Sequence, residues 1–324
     1  MGNQNLLIVE NLKKYFPLKR GVVRRTKDYI KAVDGVDFVL KKGETFGVVG
    51  ESGCGKTTLG LCILRLEEPT EGKVYFENRD ILSYDRKKMR RLRRDMQIIF
   101  QDPYSSLNPR KTVGQIIGEP FVIHGILPRR DVRERVEHLM DLVGLLPEHF
   151  HRYPHEFSGG QRQRICVARA LALNPKLVIA DEPVSALDVS IQAQILNLLV
   201  QLQRQFDLTY LFISHDLSII RHISDRVAVM YLGRIVELAA SHLFCSHPLH
   251  PYTEALMSAA PIPNPLRKRE EILLQGDVPS PINIPPGCSF HPRCRYFKDV
   301  CTRRVPQMEE IEKGHWVACH FPRR

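Results

Sequence analysis

Residues 50–57 read Gly50-Glu51-Ser52-Gly53-Cys54-Gly55-Lys56-Thr57, between a run with the pattern of a buried strand (44–49) and a helical run (57–64). Few folds admit that order. A glycine-rich turn from strand into helix lets successive backbone N–H groups wrap an anion, while the closing Lys56 and Thr57 reach the outer phosphates and their Mg2+. Strand patterns return at 177–181, 209–213 and 226–230 with helical patterns between them, so the chain is expected to be α/β, a parallel sheet with crossover helices.

Four further elements narrow the chemistry: Gln101, then Phe157-Ser158-Gly159-Gly160-Gln161, then the run 177–182, then His215. An ordinary phosphate-loop enzyme completes its site within the chain or with an arginine finger. Here Ser158, Gly159, Gly160 and Gln161 supply a second glycine-rich anion cradle, and the five elements together describe an ATP site split between two subunits. Asp181 and Glu182 end an apolar strand, where unpaired ionised carboxylates are costly. They read as a pair in which Asp181 holds the water shell of Mg2+ and Glu182 polarises the attacking water. His215, one strand beyond, reads as a contact to the γ-phosphate rather than a satisfied core histidine. Gln101 follows the strand-like run 97–100 and precedes two helical patterns, 113–123 and 131–143 ending at Gly144, so a phosphate sensor at this point is placed to move them.

On these motifs the chain resembles the ATP-binding cassette (ABC) family over essentially its whole length. The segments Phe100-Gln101-Asp102-Pro103, Tyr153-Pro154-His155-Glu156-Phe157-Ser158-Gly159-Gly160-Gln161, Asp181-Glu182-Pro183-Val184-Ser185-Ala186-Leu187-Asp188-Val189-Ser190 and His247-Pro248-Leu249-His250-Pro251-Tyr252-Thr253-Glu254-Ala255-Leu256 resemble the F-type ATPases of the oligopeptide/dipeptide (peptide/nickel) importers. The resemblance implies a RecA-like P-loop core with a helical subdomain, an antiparallel β edge and a loop-rich, cysteine-containing C-terminal extension. Its divisions would be 1–101, 102–165, 166–245 and 246–324. It makes Gly50, Ser52, Gly53, Gly55, Lys56, Thr57 and Thr58 the Walker A, Gln101 the Q-loop, and Ser158 to Gln161 the signature, with Thr57 and Gln101 at Mg2+. Asp181 ends the Walker B, Glu182 is the catalytic carboxylate, Ser185 to Asp188 form the D-loop and His215 is the switch histidine. The adenine-stacking aromatic is expected at Phe16, with Tyr15 and Tyr29 as alternatives. Phe157 stands where many cassettes have Leu, which is usual in this subfamily.

Past residue 246 prolines cluster, and Cys288, Cys294, Cys301 and Cys319 fall close together. In a reducing compartment such a set reads as a metal site before a disulfide set, and the spacing leaves zinc and iron–sulfur open. The resemblance implies a 4Fe-4S cluster, with Zn2+ as the alternative. Cys54, Cys62, Cys166 and Cys245 read as small buried fillers. His291, His315 and His320 are near enough to substitute as ligands but read as ordinary loop histidines.

No apolar run approaches the roughly 18 residues of a spanning helix, and the N-terminus lacks a basic and apolar leader. The expected location is peripheral, on the cytoplasmic face of the inner (plasma) membrane. The net charge of +11 suits anionic lipid or nucleic acid. The basic run 86–94 has no interleaved aromatics to stack bases, so it reads as a solvated face beside the membrane, with no nucleic acid as partner. The resemblance implies a second ABC ATPase subunit, identical or not, two transmembrane permease subunits and, indirectly, an extracytoplasmic peptide-binding protein. The chain is thus expected to be the ATP-hydrolysing subunit of a di-/oligopeptide importer. The alternatives are an importer of nickel or another small solute, or a soluble ABC ATPase acting on nucleic acid or the ribosome. The single cassette and the importer-like tail oppose the soluble reading, and intact Glu182 and His215 oppose a purely regulatory, iron–sulfur-sensing subunit.

Overall fold

The computed structural model describes residues 5–18, 28–259 and 272–323. The basic stretch 19–27, which lies between the β-like runs 6–9 and 33–40 and so reads as a hairpin-like loop, and Pro261, Pro263 and Pro265 of the tail lie outside the described residues. In chain order the elements are β1 (Asn5–Pro17), β2 (Tyr29–Lys41), β3 (Thr45–Val49), α1 (Lys56–Ile63), β4 (Glu71–Phe76), β5 (Arg79–Asp80), α2 (Arg86–Leu92), β6 (Met96–Ile99), α3 (Pro103–Ser106), α4 (Val113–His124), α5 (Arg129–Leu142) and α6 (Gly159–Leu171). There follow β7 (Leu177–Asp181), α7 (Val189–Phe206), β8 (Thr209–Ser214), α8 (Leu217–Ile223), β9 (Arg226–Tyr231), β10 (Arg234–Ala240), α9 (Ser241–Ser246), α10 (Pro251–Ala259), α11 (Val300–Arg303), β11 (Glu309–Glu312) and β12 (His315–Val317). The chain divides into two compact units, Met1–Leu40 with Thr45–Leu82 and Ile213–Arg324, and Lys41–Glu44 with Ser83–Phe212.

In the first unit one sheet has the order β2-β1-β4-β5. β1 and β4 are antiparallel, with Leu7 opposite Phe76 and Val9 opposite Val74, and all four side chains are buried. The sequence marks only the apolar stretch 6–9 of β1. The strand continues through Lys13, which lies opposite Glu71 and pairs with it at 2.6 Å, so a cross-strand ion pair carries the ladder past the apolar run.

The unit's other strands run in the order β11-β12-β10-β9-β3. β3 and β9 are parallel, with Gly47 opposite Val227; the remaining pairs are antiparallel. A side chain at Gly47 would come within 2.6 Å of Ser224 Oγ and 2.9 Å of Ile220, so the bare backbone lets α8 lie close against β3. The tail adds β11 and β12 to this sheet through the two-residue turn Lys313-Gly314, where Gly314 has φ +76°.

In the second unit β6 and β7 are parallel, with Ile98 opposite Ile179, and β8 lies on the other side of β7. Every residue of β7 and β8 is buried, which is why both read as unbroken apolar runs rather than alternating ones. α4 opens in a capping box: Thr112 Oγ1 accepts from the Gln115 N–H at 3.4 Å and Gln115 Oε1 accepts from the Thr112 N–H at 3.0 Å. It ends at Gly125 (φ +61°), and the turn after α5 holds Gly144 at φ +72°. α4 packs against α5 and α6. α7 buries Ile195, Leu196, Leu198, Leu199 and Leu202 as one stripe. Among the described residues no helix is long and apolar enough to cross a membrane.

Candidate functional site

The loop 50–57 leaves buried β3 and enters α1 through three glycines with positive φ, Gly50 (+155°), Gly53 (+79°) and Gly55 (+105°). A Cβ at Gly50 would stand 2.1 Å from the Met230 carbonyl oxygen, and one at Gly55 would stand 1.9 Å from that of Ala32, so only glycine fits either position. Gly55 is the N-cap of α1 and has no side chain to cap it. No capping side chain therefore stands between the start of the helix and an anion, and the helix dipole favours one there. Lys56 is buried, and its ammonium donates to the carbonyls of Gly50 at 2.8 Å and Glu51 at 3.0 Å, curling over the loop it closes. Ser52 and Thr57 are exposed and Thr58 is half-buried. Cys54 is buried against this turn, and burial pushes its thiol up, as expected of a filler and not of a nucleophile.

Tyr15 and Phe16 adjoin on β1 and so point to opposite faces. Tyr15 is committed, its hydroxyl donating to Asp34, which also accepts from Arg234 at 2.7 and 2.9 Å. Burial works against ionisation of Asp34, but the hydrogen bonds from Tyr15 and Arg234 outweigh it and hold the carboxyl below its usual range. Phe16 is half-buried with the Lys14 ammonium 4.7 Å from its ring centroid, and Tyr29 is exposed. His215 stands exposed just after β8, where Asp216 N–H bonds Ser214 Oγ at 3.0 Å and the Asp216 carboxylate caps α8.

In the second unit the structure brings Gln101 and Glu182 together: the Gln101 amide donates to a Glu182 carboxylate oxygen at 3.0 Å. Asp181 is buried at the end of β7. Glu182 then turns the chain through φ +46°, a left-handed conformation unusual for a residue with a side chain. The turn is held by Ser185, whose hydroxyl donates to the Glu182 carbonyl at 3.1 Å. Ser158 and Gln161 form a capping box at the start of α6, with bonds of 3.4 and 3.1 Å. A Cβ at Gly160 would lie 2.5 Å from Ile191 Cγ2, and one at Gly159 would lie 3.2 Å from Leu187, so these glycines let α6 approach the turn into α7. Asp188, exposed, is the N-cap residue of α7 but makes no side-chain cap bond.

The expected iron–sulfur or zinc site in the tail is corrected by the structure. Cys288, Cys294, Cys301 and Cys319 do line one small space, but among the described residues no group of three or more His, Cys, Asp or Glu is arranged to hold a metal ion. Bordering one space is not enough, because ligands to one ion must converge on one point, and these four sulfurs do not form such a group. Burial also raises the thiols, Cys288 to about 11, Cys319 to about 12 and Cys294 above its ordinary value. The nearby histidines are engaged elsewhere: His291 Nδ1 bonds the Cys288 carbonyl and His320 Nε2 the Arg304 carbonyl, each at 2.8 Å. His315, expected as a loop histidine, is fully buried in β12, with Nε2 2.7 Å from the buried Glu237 carboxylate.

Several residues with a direct bearing on the loop carry no motif. The Glu51 carboxylate accepts from Arg293 at 2.8 and 3.1 Å, and the Glu51 N–H donates to Tyr252 Oη at 2.9 Å. Glu237 also accepts the N–H groups of Leu249 and His250, each at 2.8 Å, which fixes the run leading to Tyr252. Within the second unit, and separately from that loop, Arg162 of α6 lies 3.8 Å from the Tyr104 ring centroid and donates to the Pro154 carbonyl at 2.7 Å. The sequence signals among these partners are the family-like segments 153–161, which contains Pro154, and 247–256, which contains Leu249, His250 and Tyr252.

Residues 33–185 match the family model for ABC transporters, and residues 236–301 match the C-terminal region of oligopeptide/dipeptide transporters. The chain is 55% identical to the oligopeptide transport ATP-binding protein AppF of Bacillus subtilis (strain 168), over 99% of this chain and 98% of that one. It is 52% identical to the dipeptide transport ATP-binding protein DppF of Escherichia coli (strain K12), over 98% and 94%. Among solved structures it is similar to cbiO1 from Clostridium perfringens, part of the ABC transporter complex cbiONQ, with TM-score 0.65 and 29% identity over 75% of this chain and 92% of that one. A dimeric post-hydrolysis state of the ATP-binding cassette MJ0796 bound to ADP and Pi gives TM-score 0.64 and 28% identity over 73% and 99%.

Proposed function

The chain belongs to the ATP-binding subunits of oligopeptide/dipeptide ABC transporters and hydrolyses ATP, and from that premise we propose that it powers the import of di- and oligopeptides. It works paired with a second ATP-binding subunit on two membrane permease subunits, peripheral to the inner face of the membrane, with an extracytoplasmic peptide-binding protein delivering the solute. The functional divisions are 1–101, 102–165, 166–245 and 246–324.

In this reading the N–H groups of the loop 50–57 and of the α1 N-terminus hold the phosphates, and Lys56 exchanges its loop carbonyls for phosphate oxygens. Phe16 takes the adenine, since the hydroxyl of neighbouring Tyr15 is bonded to Asp34. Ser158, Gly159, Gly160 and Gln161 close on the partner's nucleotide with Asp188 beside them. The exposed Thr57 hydroxyl, the Gln101 amide oxygen and the Asp181 carboxylate are hard oxygen donors that fit Mg2+, which when bound neutralises phosphate charge. Glu182 orients and deprotonates the attacking water, and His215 contacts the γ-phosphate.

The observation that carries the chemistry is the bond from Gln101 to Glu182 at the end of β7. It supports a reading in which the side chain that senses the phosphate is bonded to the carboxylate that activates water. The test is transport by the assembled complex in liposomes. Peptide-loaded binding protein should stimulate ATP hydrolysis and drive peptide uptake, and Glu182→Gln should abolish both. Uptake of nickel chelates with indifference to peptides would remove the solute assignment and leave the transporter.

A further inference from the structure

We propose that Arg293 and Tyr252, both in the C-terminal extension, are positioning residues for the phosphate-binding loop, gripping Glu51 by its carboxylate and its backbone N–H so that the loop is set for nucleotide before it binds. The proposal rests on the reading of residues 50–57 as the nucleotide loop.

Glu51 is the second residue of that loop, 242 positions from Arg293 and 201 from Tyr252. The ion pair is bidentate, and the Arg293 side chain is only 8% exposed, so neither side chain is free to swing. The Tyr252 hydroxyl takes the Glu51 N–H at 2.9 Å, which fixes the peptide plane between Gly50 and Glu51. The Lys56 ammonium donates to the carbonyls of these same two residues. The extension therefore sets the position of the atoms on which the phosphate-binding lysine rests.

The extension is itself firmly based. Tyr252 is fully buried, its ring 4.7 Å from that of Tyr231 at the end of β9 and 5.4 Å from that of Phe290, which precedes Arg293 by three residues. Glu237 of β10 holds the backbone two and three residues before Tyr252. Sheet, aromatic cluster and Glu51 thus form one continuous packed path. A loop held in its binding conformation loses less entropy when ligand arrives. The gain is uniform binding, which appears in KM and nucleotide affinity more than in kcat.

The experiment measures MgADP affinity of the full chain by calorimetry, and KM and kcat for ATP in the assembled transporter, for Arg293→Met, Arg293→Lys, Tyr252→Phe and Lys56→Ala. Arg293→Met and Tyr252→Phe should each weaken MgADP binding about fivefold or more and raise KM in step, with kcat within about twofold of the parent. Arg293→Lys, which keeps the charge but not the two-pronged geometry, should fall between. Tyr252→Phe removes one oxygen from a packed ring and decides the matter if Arg293→Met fails to fold. Unchanged affinity and KM in both variants, with Lys56→Ala still weakening nucleotide binding, would overturn the positioning role alone. Unchanged affinity in Lys56→Ala would instead bring down the loop assignment, and the proposal with it.

Discussion

The side-chain amide of Gln101 donates to the Glu182 carboxylate across 3.0 Å, joining two positions 81 residues apart. Glu182→Gln keeps the size of the side chain and removes the carboxylate to which the proposed function gives the role of base. ATP turnover of the assembled transporter should fall about a hundredfold or more, since a positioned base contributes that much. MgATP affinity should hold, and ATP-bound dimers should accumulate on size-exclusion chromatography. Turnover near that of the parent would take Glu182 out of the reaction.

Gly55 and Gly53 should respond differently to alanine. At Gly55 the new Cβ meets a backbone carbonyl at 1.9 Å, whereas at Gly53 nothing lies within 4 Å. Gly53→Ala carries only the left-handed backbone penalty, about 1–2 kcal/mol. Gly55→Ala adds overpacking of about 1–3 kcal/mol. Urea denaturation midpoints should rank the parent above Gly53→Ala and Gly53→Ala above Gly55→Ala, and equal midpoints for the two variants would contradict the close approach to Ala32.

Gly160→Ala should also destabilise, because its Cβ would stand 2.5 Å from Ile191 Cγ2. That neighbour is a side chain and not backbone, so the loss should be recoverable. The double variant Gly160→Ala with Ile191→Ala should cost less than the sum of the two single substitutions. Strict additivity in thermal melts would show that the two residues do not touch.

His250 is wholly buried, and its burial, only partly countered by Glu237, lowers its pKa to about 4. An unfolded histidine titrates near 6.5. Above that value both states are neutral and His250 contributes no pH dependence. As pH falls from about 6.5 to about 4, the unfolded chain takes up a proton that the folded chain refuses. Stability should therefore fall by up to about 1.4 kcal/mol per pH unit from this group. His250→Asn, whose amide oxygen can still accept the Tyr252 N–H, should flatten that stretch of the stability curve in guanidinium titrations. An unaltered slope would mean that other groups cause it.

The loop 50–57, Gln101, the end of β7 and His215 were legible in the sequence because each is a short local pattern attached to one strand end. The helices 113–123 and 131–143 were legible within a few residues, because Thr112, Gly125 and Gly144 mark their ends with cap chemistry. Arg293 was not legible, since its neighbours His291 and Cys294 draw attention to the tail itself while its partner Glu51 is 242 positions away. β11 was hidden for a related reason: Glu309-Glu310-Ile311-Glu312 is a polar run, and only its pairing with β12 makes it a strand. The four tail cysteines misled, because spacing in sequence does not say whether three sulfurs converge on one point, and among the described residues no such group is arranged to hold a metal ion.

The pairing of β12 with β10 bears on what shortened forms of this protein can do. A chain cut after residue 246 would bare the outer edge of β10. It would also strip the fully buried Glu237 of its contacts with Leu249, His250 and His315. An open edge of this kind recruits strands from other molecules. Truncated versions should therefore aggregate more readily than the full chain, so that a motor trimmed at the C-terminus needs another cover for that edge.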